Sequence, residues 1–300
     1  MHEWRKYRLP ELPEVETVRK GLENLVEKAV IKKVDVFWER IITGSLVGES
    51  FKNALVGEQL QKIRRRGKFL LLDFDQHTLI SHLRMEGKYE VVPTEEPLKL
   101  HTHVVFHLKD GRDIRYLDVR KFGRMELVPL GQEETVAGIQ RLGPEPFADV
   151  FLLEPFQAKL SRIKKAVKPA LLDQNLVTGL GNIYVDEALF QAGIHPLRPG
   201  NSLTPKEAAV LHQSIIEVLG KAIQAGGTTI RTYLNALGES GSFQQDLKVY
   251  GQTGKPCVRC GNPIQKTKVA QRGTHYCVQC QKLTEENILP AMNSHDASKR

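Results

Sequence analysis

The chain has 300 residues, 41% of them hydrophobic and 26% charged, with a net charge of +8. At roughly 150 residues per domain, that length points to two domains, and the composition excludes a wholly disordered or fibrous chain. No apolar run reaches the roughly 18 residues that cross a bilayer, and Met1 to Leu9 lacks the apolar core of a signal peptide, so a cytoplasmic protein with an anionic partner is expected.

In chain order, Pro10-Glu11-Leu12-Pro13 leads into a helical pattern with Val15, Val18, Leu22 and Leu25 on one face and Pro13 in the first turn. From Ile31 to Val128 the pattern becomes strand-like, and Asp110-Gly111 between two apolar runs reads as a hairpin turn. These features predict a β-rich domain over residues 10–130, a sandwich or a barrel, with one leading helix. Residues 131–155 are rich in Gly, Pro and acidic residues and are expected to be a linker. Residues 156–247 turn helical. Thr204-Pro205-Lys206-Glu207 is a capping box whose helix should stop at Gly226-Gly227, and Gly179-Leu180-Gly181-Asn182 precedes a second helix. Residues 283–300 form a polar tail with no core of their own.

All four cysteines fall in residues 248–282: Cys257 and Cys260, then Cys277 and Cys280, with 16 residues between the pairs. This spacing lets two turns close a tetrahedron of thiolates around one structural Zn²⁺. Two disulfides or a redox centre are the other readings; a cytosolic setting disfavours the disulfides, and two Cys-x-x-Cys pairs are more than a redox site needs. The same segment carries Lys248, Lys255, Arg259, Lys266, Lys268, Arg272 and Lys282 with no Asp or Glu. Nucleic-acid phosphate fits that charge, although a solvated basic face would carry the same residues.

Six segments stand in order along the chain: Pro10-Glu11-Leu12-Pro13-Glu14-Val15-Glu16-Thr17, Arg66-Gly67-Lys68-Phe69-Leu70, His82-Leu83-Arg84-Met85, Arg120-Lys121-Phe122-Gly123, Gly181-Asn182-Ile183-Tyr184 and the Cys₄ finger with Ala270-Gln271-Arg272. On these motifs the sequence, from Pro10 to Lys282, resembles the bacterial formamidopyrimidine-DNA glycosylase family. The resemblance implies an α+β multidomain fold: an N-terminal β-sandwich with a leading helix, a helix–two-turn–helix domain and a C-terminal zinc ribbon, with DNA between the halves. It also implies a monomeric, bifunctional enzyme of base excision repair. Such an enzyme acts on double-stranded DNA containing oxidised purines or abasic sites, by a Schiff base followed by β,δ-elimination. Leu12 and Met85 match the purine branch rather than the endonuclease VIII type.

By the resemblance, Pro10 is the nucleophile, Glu11 the general acid, Lys68 assists the elimination and holds a phosphate, and Arg272 lies on the phosphates beside the lesion. Met85, Arg120 and Phe122 form the wedge that fills the space of an everted base. His101, Lys164, Lys168 and Asn182 stand near DNA. Taken alone, Pro10 and Glu11 are ordinary first-turn residues, Met85 and Phe122 could be core, and Asn182 could be a plain helix cap. The pattern departs in one respect: nine residues precede Pro10, and an amide nitrogen is not a nucleophile. Leu9 stands where family members have the initiator Met, so residues 1–9 are expected to be a mis-annotated extension from a TTG or CTG start. If they are retained, the alternative is a non-catalytic protein that binds damaged DNA.

Overall fold

A computed structural model of the chain describes residues 10–228 and 241–284. The expectations for residues 1–9, and for the tail beyond Thr284, lie outside the described residues. Those residues divide into two compact units: 10–140 with 225–228 and 241–242, and 141–224 with 243–284.

In the first unit, α1 (Leu12–Val26) is followed by β1 (Ile31–Val36), β2 (Ile42–Thr43), α2 (Gly48–Leu55), β3 (Lys62–Arg66), β4 (Phe69–Asp73), β5 (His77–His82), β6 (Lys88–Pro93), β7 (Thr102–Leu108), β8 (Arg112–Leu117), β9 (Arg124–Pro129) and α3 (Ala137–Gln140). The strands form a four-stranded sheet in the order β1-β7-β8-β6 and a five-stranded sheet in the order β2-β9-β5-β4-β3. Alternating side chains from both sheets, such as Phe106, Ile114 and Tyr116 against Leu70, Leu72 and Leu79, meet in one core. The open choice between sandwich and barrel is thus resolved as a sandwich. α1 adds Val15, Val18, Leu22 and Val26 to that core, and α2 adds Phe51 and Leu55.

The second unit contains α4 (Leu153–Leu160), α5 (Val167–Leu172), α6 (Asn182–Ala192), α7 (Pro205–Gln224), β10 (Gln265–Val269) and β11 (Arg272–Tyr276). α7 begins at the expected capping box: Glu207 Oε2 accepts the Thr204 N–H at 2.8 Å and Thr204 Oγ1 accepts the Glu207 N–H at 3.2 Å. Gly226 and Gly227, both at positive φ, follow its last turn.

Three divisions differ from expectation. Residues 131–155 are not a plain linker, because α3 lies within them and Val136, Ile139 and Phe151 are buried. The chain after α7 returns to the first unit, where Glu14 holds Thr228. The ribbon is not separate from the helices. The Glu187 carboxylate on α6 accepts the backbone N–H groups of Lys248, Val249 and Tyr250 at 2.8–2.9 Å. Arg259 donates to the Phe190 and Gln191 carbonyls at the end of that helix.

Candidate active site and nucleic-acid interface

In the first unit, strand register gathers three turns at one end of the five-stranded sheet. Arg66 pairs with Phe69, which leaves Gly67 and Lys68 as the two-residue tip of the β3–β4 hairpin. Gly67 has φ 58°, the left-handed conformation that such a tight tip requires. Phe69 pairs with His82, and His82 pairs with Arg124. The β5–β6 turn carrying Met85 and the loop 118–123 that enters β9 therefore emerge beside Lys68. α1 points the same way. Glu16 accepts from Arg65 at 3.0 Å, while Arg19, one turn later, donates to the Ile63 carbonyl. The helix thus runs antiparallel to β3, and its first residues lie toward Gly67-Lys68. Pro10 is buried there.

Each of these segments is held stiffly. Glu11 and Glu14 form a capping box at the start of α1, with the Glu11 N–H donating to Glu14 Oε2 at 3.0 Å. The other Glu14 oxygen accepts the N–H and hydroxyl of Thr228 at 2.8 and 2.9 Å, with Glu14 only 2% exposed. In the Met85 turn, Arg84 takes φ 55° and donates its N–H to His82 Nδ1 at 2.9 Å. Desolvation, with Arg84 and Lys68 nearby, lowers the His82 pKa to about 3. The imidazole beside Lys68 is therefore neutral at pH 7.

The loop 118–123 is built on Asp118, which is 1% exposed. Its carboxylate accepts the N–H groups of Arg120, Phe122 and Gly123 at 3.0, 2.9 and 2.8 Å. Its backbone N–H donates to the His101 carbonyl and its own carbonyl accepts from His103 Nε2. Lys121 is forced to φ 59° and His101 to φ 68°. Left-handed backbone at non-glycine residues costs of order 1–3 kcal/mol and marks positions held for a reason other than stability. The loop displays Phe122, 45% exposed, with the Arg120 guanidinium 4.7 Å from its ring centroid.

In the second unit, Lys168 and Asn182 meet at the carbonyl of Gly273, the residue after Arg272. Asn182, the first residue of α6, donates to the Gly273 carbonyl at 2.9 Å. Lys168 donates to the same carbonyl at 3.2 Å, to Thr274 Oγ1 at 2.8 Å and to Asp186 Oδ1 at 2.7 Å. Asp186 also accepts the His275 N–H at 2.8 Å. Ala270 and Gln271 turn the β10–β11 hairpin with φ 46° and 62°, and exposed Arg272 follows at its tip. Both turn positions favour Gly or Asn, so the turn is strained. Lys164 is exposed on the same unit.

The expectation that Lys168 faces DNA is corrected. It is 0% exposed, and its ammonium is enclosed with Asp186 and the ribbon hairpin. The amide nitrogen of Asn182 is likewise turned toward the hairpin. Three residues that sequence reading passed over carry the architecture: Glu14, Asp118 and Asp186. A Glu three residues after Glu11 could have signalled the capping box. The other two give no local signal, because their partners lie on turns or far along the chain.

The four cysteine sulfurs lie within 4.8 Å of one another, with Cys257–Cys280 at 3.8 Å and Cys260–Cys277 at 3.4 Å. Tetrahedral Zn–S bonds near 2.3 Å place sulfurs at about that spacing. The backbone N–H groups of Arg259 and Cys280 point at the sulfurs of Cys257 and Cys277. The donor set fits one zinc ion, and four protein ligands leave no open position for catalysis. Among the described residues no helix is long and apolar enough to cross a membrane.

Three family models match the chain: "Formamidopyrimidine-DNA glycosylase N-terminal domain" over residues 9–125, "Formamidopyrimidine-DNA glycosylase H2TH domain" over 142–234 and "Zinc finger found in FPG and IleRS" over 254–283. The chain is 62% identical over 275 residues to a formamidopyrimidine-DNA glycosylase of Enterococcus faecalis, covering 92% of this chain and 98% of the relative. With that of Bacillus licheniformis it shares 52% over 274 residues, covering 91% of this chain and 100% of the relative. A Lactococcus lactis Fpg solved with DNA containing an abasic site is similar with a TM-score of 0.85 and 44% identity, over 91% of this chain and 100% of that one. The wild-type Lactococcus lactis Fpg with N7-benzyl-Fapy-dG DNA gives a TM-score of 0.86 at 44% identity, with the same coverage. Together with the Cys₄ zinc site and the turns that end the sandwich, these likenesses settle the family: the chain belongs to the formamidopyrimidine-DNA glycosylases, the zinc-containing DNA glycosylases of base excision repair.

Proposed function

We propose that the protein excises oxidised purines, 8-oxoguanine and formamidopyrimidines, from double-stranded DNA and then cuts the strand at the abasic site, as a monomer in the bacterial cytoplasm. The observation that carries the reading is the convergence of Lys68, the Met85 turn and the Arg120–Phe122 loop at the sheet end toward which Pro10 and Glu11 are directed. The Lactococcus lactis protein solved with abasic-site DNA and with a Fapy-dG adduct supports the substrate class.

The target nucleotide leaves the stack, and Met85, Arg120 and Phe122 take its place. The Pro10 nitrogen attacks the sugar C1′, and the base departs with the electron pair of the glycosidic bond. Glu11 donates a proton to the ring oxygen as the sugar opens. The adduct of a secondary amine is an iminium cation. It draws electrons from the C2′–H bond and expels the 3′-phosphate, then repeats the elimination toward the 5′-phosphate. Lys68 and Arg272 hold those phosphates, and His101, Lys164 and the start of α6 at Asn182 lie along the flanking backbone. Lys168 acts behind Arg272, through the hairpin.

The nucleophile needs a free α-amino group, with a pKa near 8. A chain beginning at Pro10 is expected to give a borohydride-trapped covalent complex with 8-oxoguanine DNA. A chain verified to begin at Met1 should bind that DNA without being trapped, since its Pro10 nitrogen is an amide. Trapping of the Met1 chain would overturn the proline mechanism and turn attention to Lys68.

A further inference from the structure

Gly87 and Gly123 close the two turns that carry Met85 and Phe122. Neither has a positive φ, so backbone freedom is not what either position demands. The demand is for space. A Cβ at either residue would fall inside the van der Waals radius of the same atom, the phenol oxygen of Tyr116. At Gly87 it would also lie 2.6 Å from the Leu83 carbonyl, and at Gly123 3.3 Å from Asp118 Oδ2.

Tyr116 comes from β8 of the opposite sheet and is 0% exposed. Its ring is fixed edge-to-face on Tyr89 at 5.2 Å, and Tyr89 in turn donates to Ser81 on β5 at 2.8 Å. The phenol is therefore a rigid post set in the core, with its oxygen between two glycines 36 positions apart in sequence.

We propose that Tyr116 is a positioning residue that couples the two turns. Its hydroxyl, seated between Gly87 and Gly123, sets their spacing so that Met85 and Phe122 enter the base stack together. The proposal rests on the wedge reading given above. Packed elements transmit such a constraint because interiors are dense and shift in discrete steps. A displacement of a fraction of an ångström at Gly87 or Gly123 reaches the inserting tips two residues away at most.

The test uses the full chain and a duplex with a tetrahydrofuran abasic analogue flanked by 2-aminopurine, whose fluorescence rises when the step is unstacked. The readout needs no catalysis. Tyr116→Phe is expected to keep wild-type affinity for undamaged duplex and a wild-type melting temperature, while unstacking slows on the order of tenfold. Gly123→Ala should slow unstacking as well, and less in the Tyr116→Phe background than alone, because removing the oxygen frees part of the volume the methyl needs. Gly123→Ala leaves the core phenol in place, so it carries the test even if Tyr116→Phe folds poorly. Wild-type unstacking rates in either single variant, or strictly additive effects in the double variant, would overturn the coupling. A wild-type protein that binds the duplex with no fluorescence change would instead overturn the wedge reading, and the coupling with it.

Discussion

Arg272 is the exposed cation whose placement the structure explains most fully. A strained two-residue turn at Ala270 and Gln271 presents it, and the next residue, Gly273, is fixed through its carbonyl by Asn182 and Lys168. Among the described residues its side chain makes no hydrogen bond or ion pair, and it is exposed. Arg272→Ala should therefore leave the melting temperature unchanged and lower the dependence of log affinity on log salt by about one unit, the signature of one lost phosphate contact. Titrations at several salt concentrations check this, and an unaltered slope would remove Arg272 from the phosphate site. Asp118 shows the opposite economy. It touches no predicted ligand, yet three N–H groups of one loop converge on its carboxylate. Such a residue is invisible to a search for chemically reactive groups.

At the scale of elements, the informative joint is α5 and α6 against the β10–β11 hairpin. Lys168 on α5 and Asp186 on α6 form a buried ion pair, and each also binds the hairpin. Removing one member of such a pair strands the other charge without a partner and costs about 3–5 kcal/mol. Lys168→Met is expected to lower the melting temperature of the second unit and to weaken DNA binding with little change in salt slope. That pattern separates a residue acting through the hairpin from one touching phosphate, and calorimetry together with salt titration reads it. A full-unit fall in slope with unchanged melting would restore Lys168 to the interface.

At the scale of the whole molecule, the zinc site and the sandwich draw on separate cores. The ribbon packs Cys257, Ile264 and Cys277 with Phe190 and Val249, whereas the sandwich core draws on both sheets, α1 and α2. So small a ribbon depends on its metal to fold. Chelation, or Cys260→Ser, should abolish lesion binding while the β-sheet transition in thermal circular dichroism stays where it was. A chelated protein that binds and cuts lesion DNA at the full rate would contradict this.

Much of the fold was legible because its signals are local. Alternation in strands, the capping box at Thr204–Glu207 and the paired Cys-x-x-Cys turns each state within a few residues what the backbone must do. The zinc site is the clearest case, since tetrahedral thiolate geometry restricts the spacing of its ligands. The proposed site residues stand in recognisable motifs, whereas their surroundings carry no such local mark. Sequence marks Lys168 as one basic residue among several, and only packing against Asp186 and Thr274 makes it an interior strut. It gives Glu14 no role beyond its place in a motif, and only the return of the chain after α7 makes it the anchor of Thr228. It places Tyr116 only within a strand-like stretch, and strand register brings Gly87 and Gly123 against its oxygen. The sequence by itself determined which chemical groups the protein carries and which elements bear them, because propensity, capping and metal spacing act over short range. Tertiary structure decided which of those groups are presented and which are enclosed, because burial and partner choice depend on residues that only folding brings together.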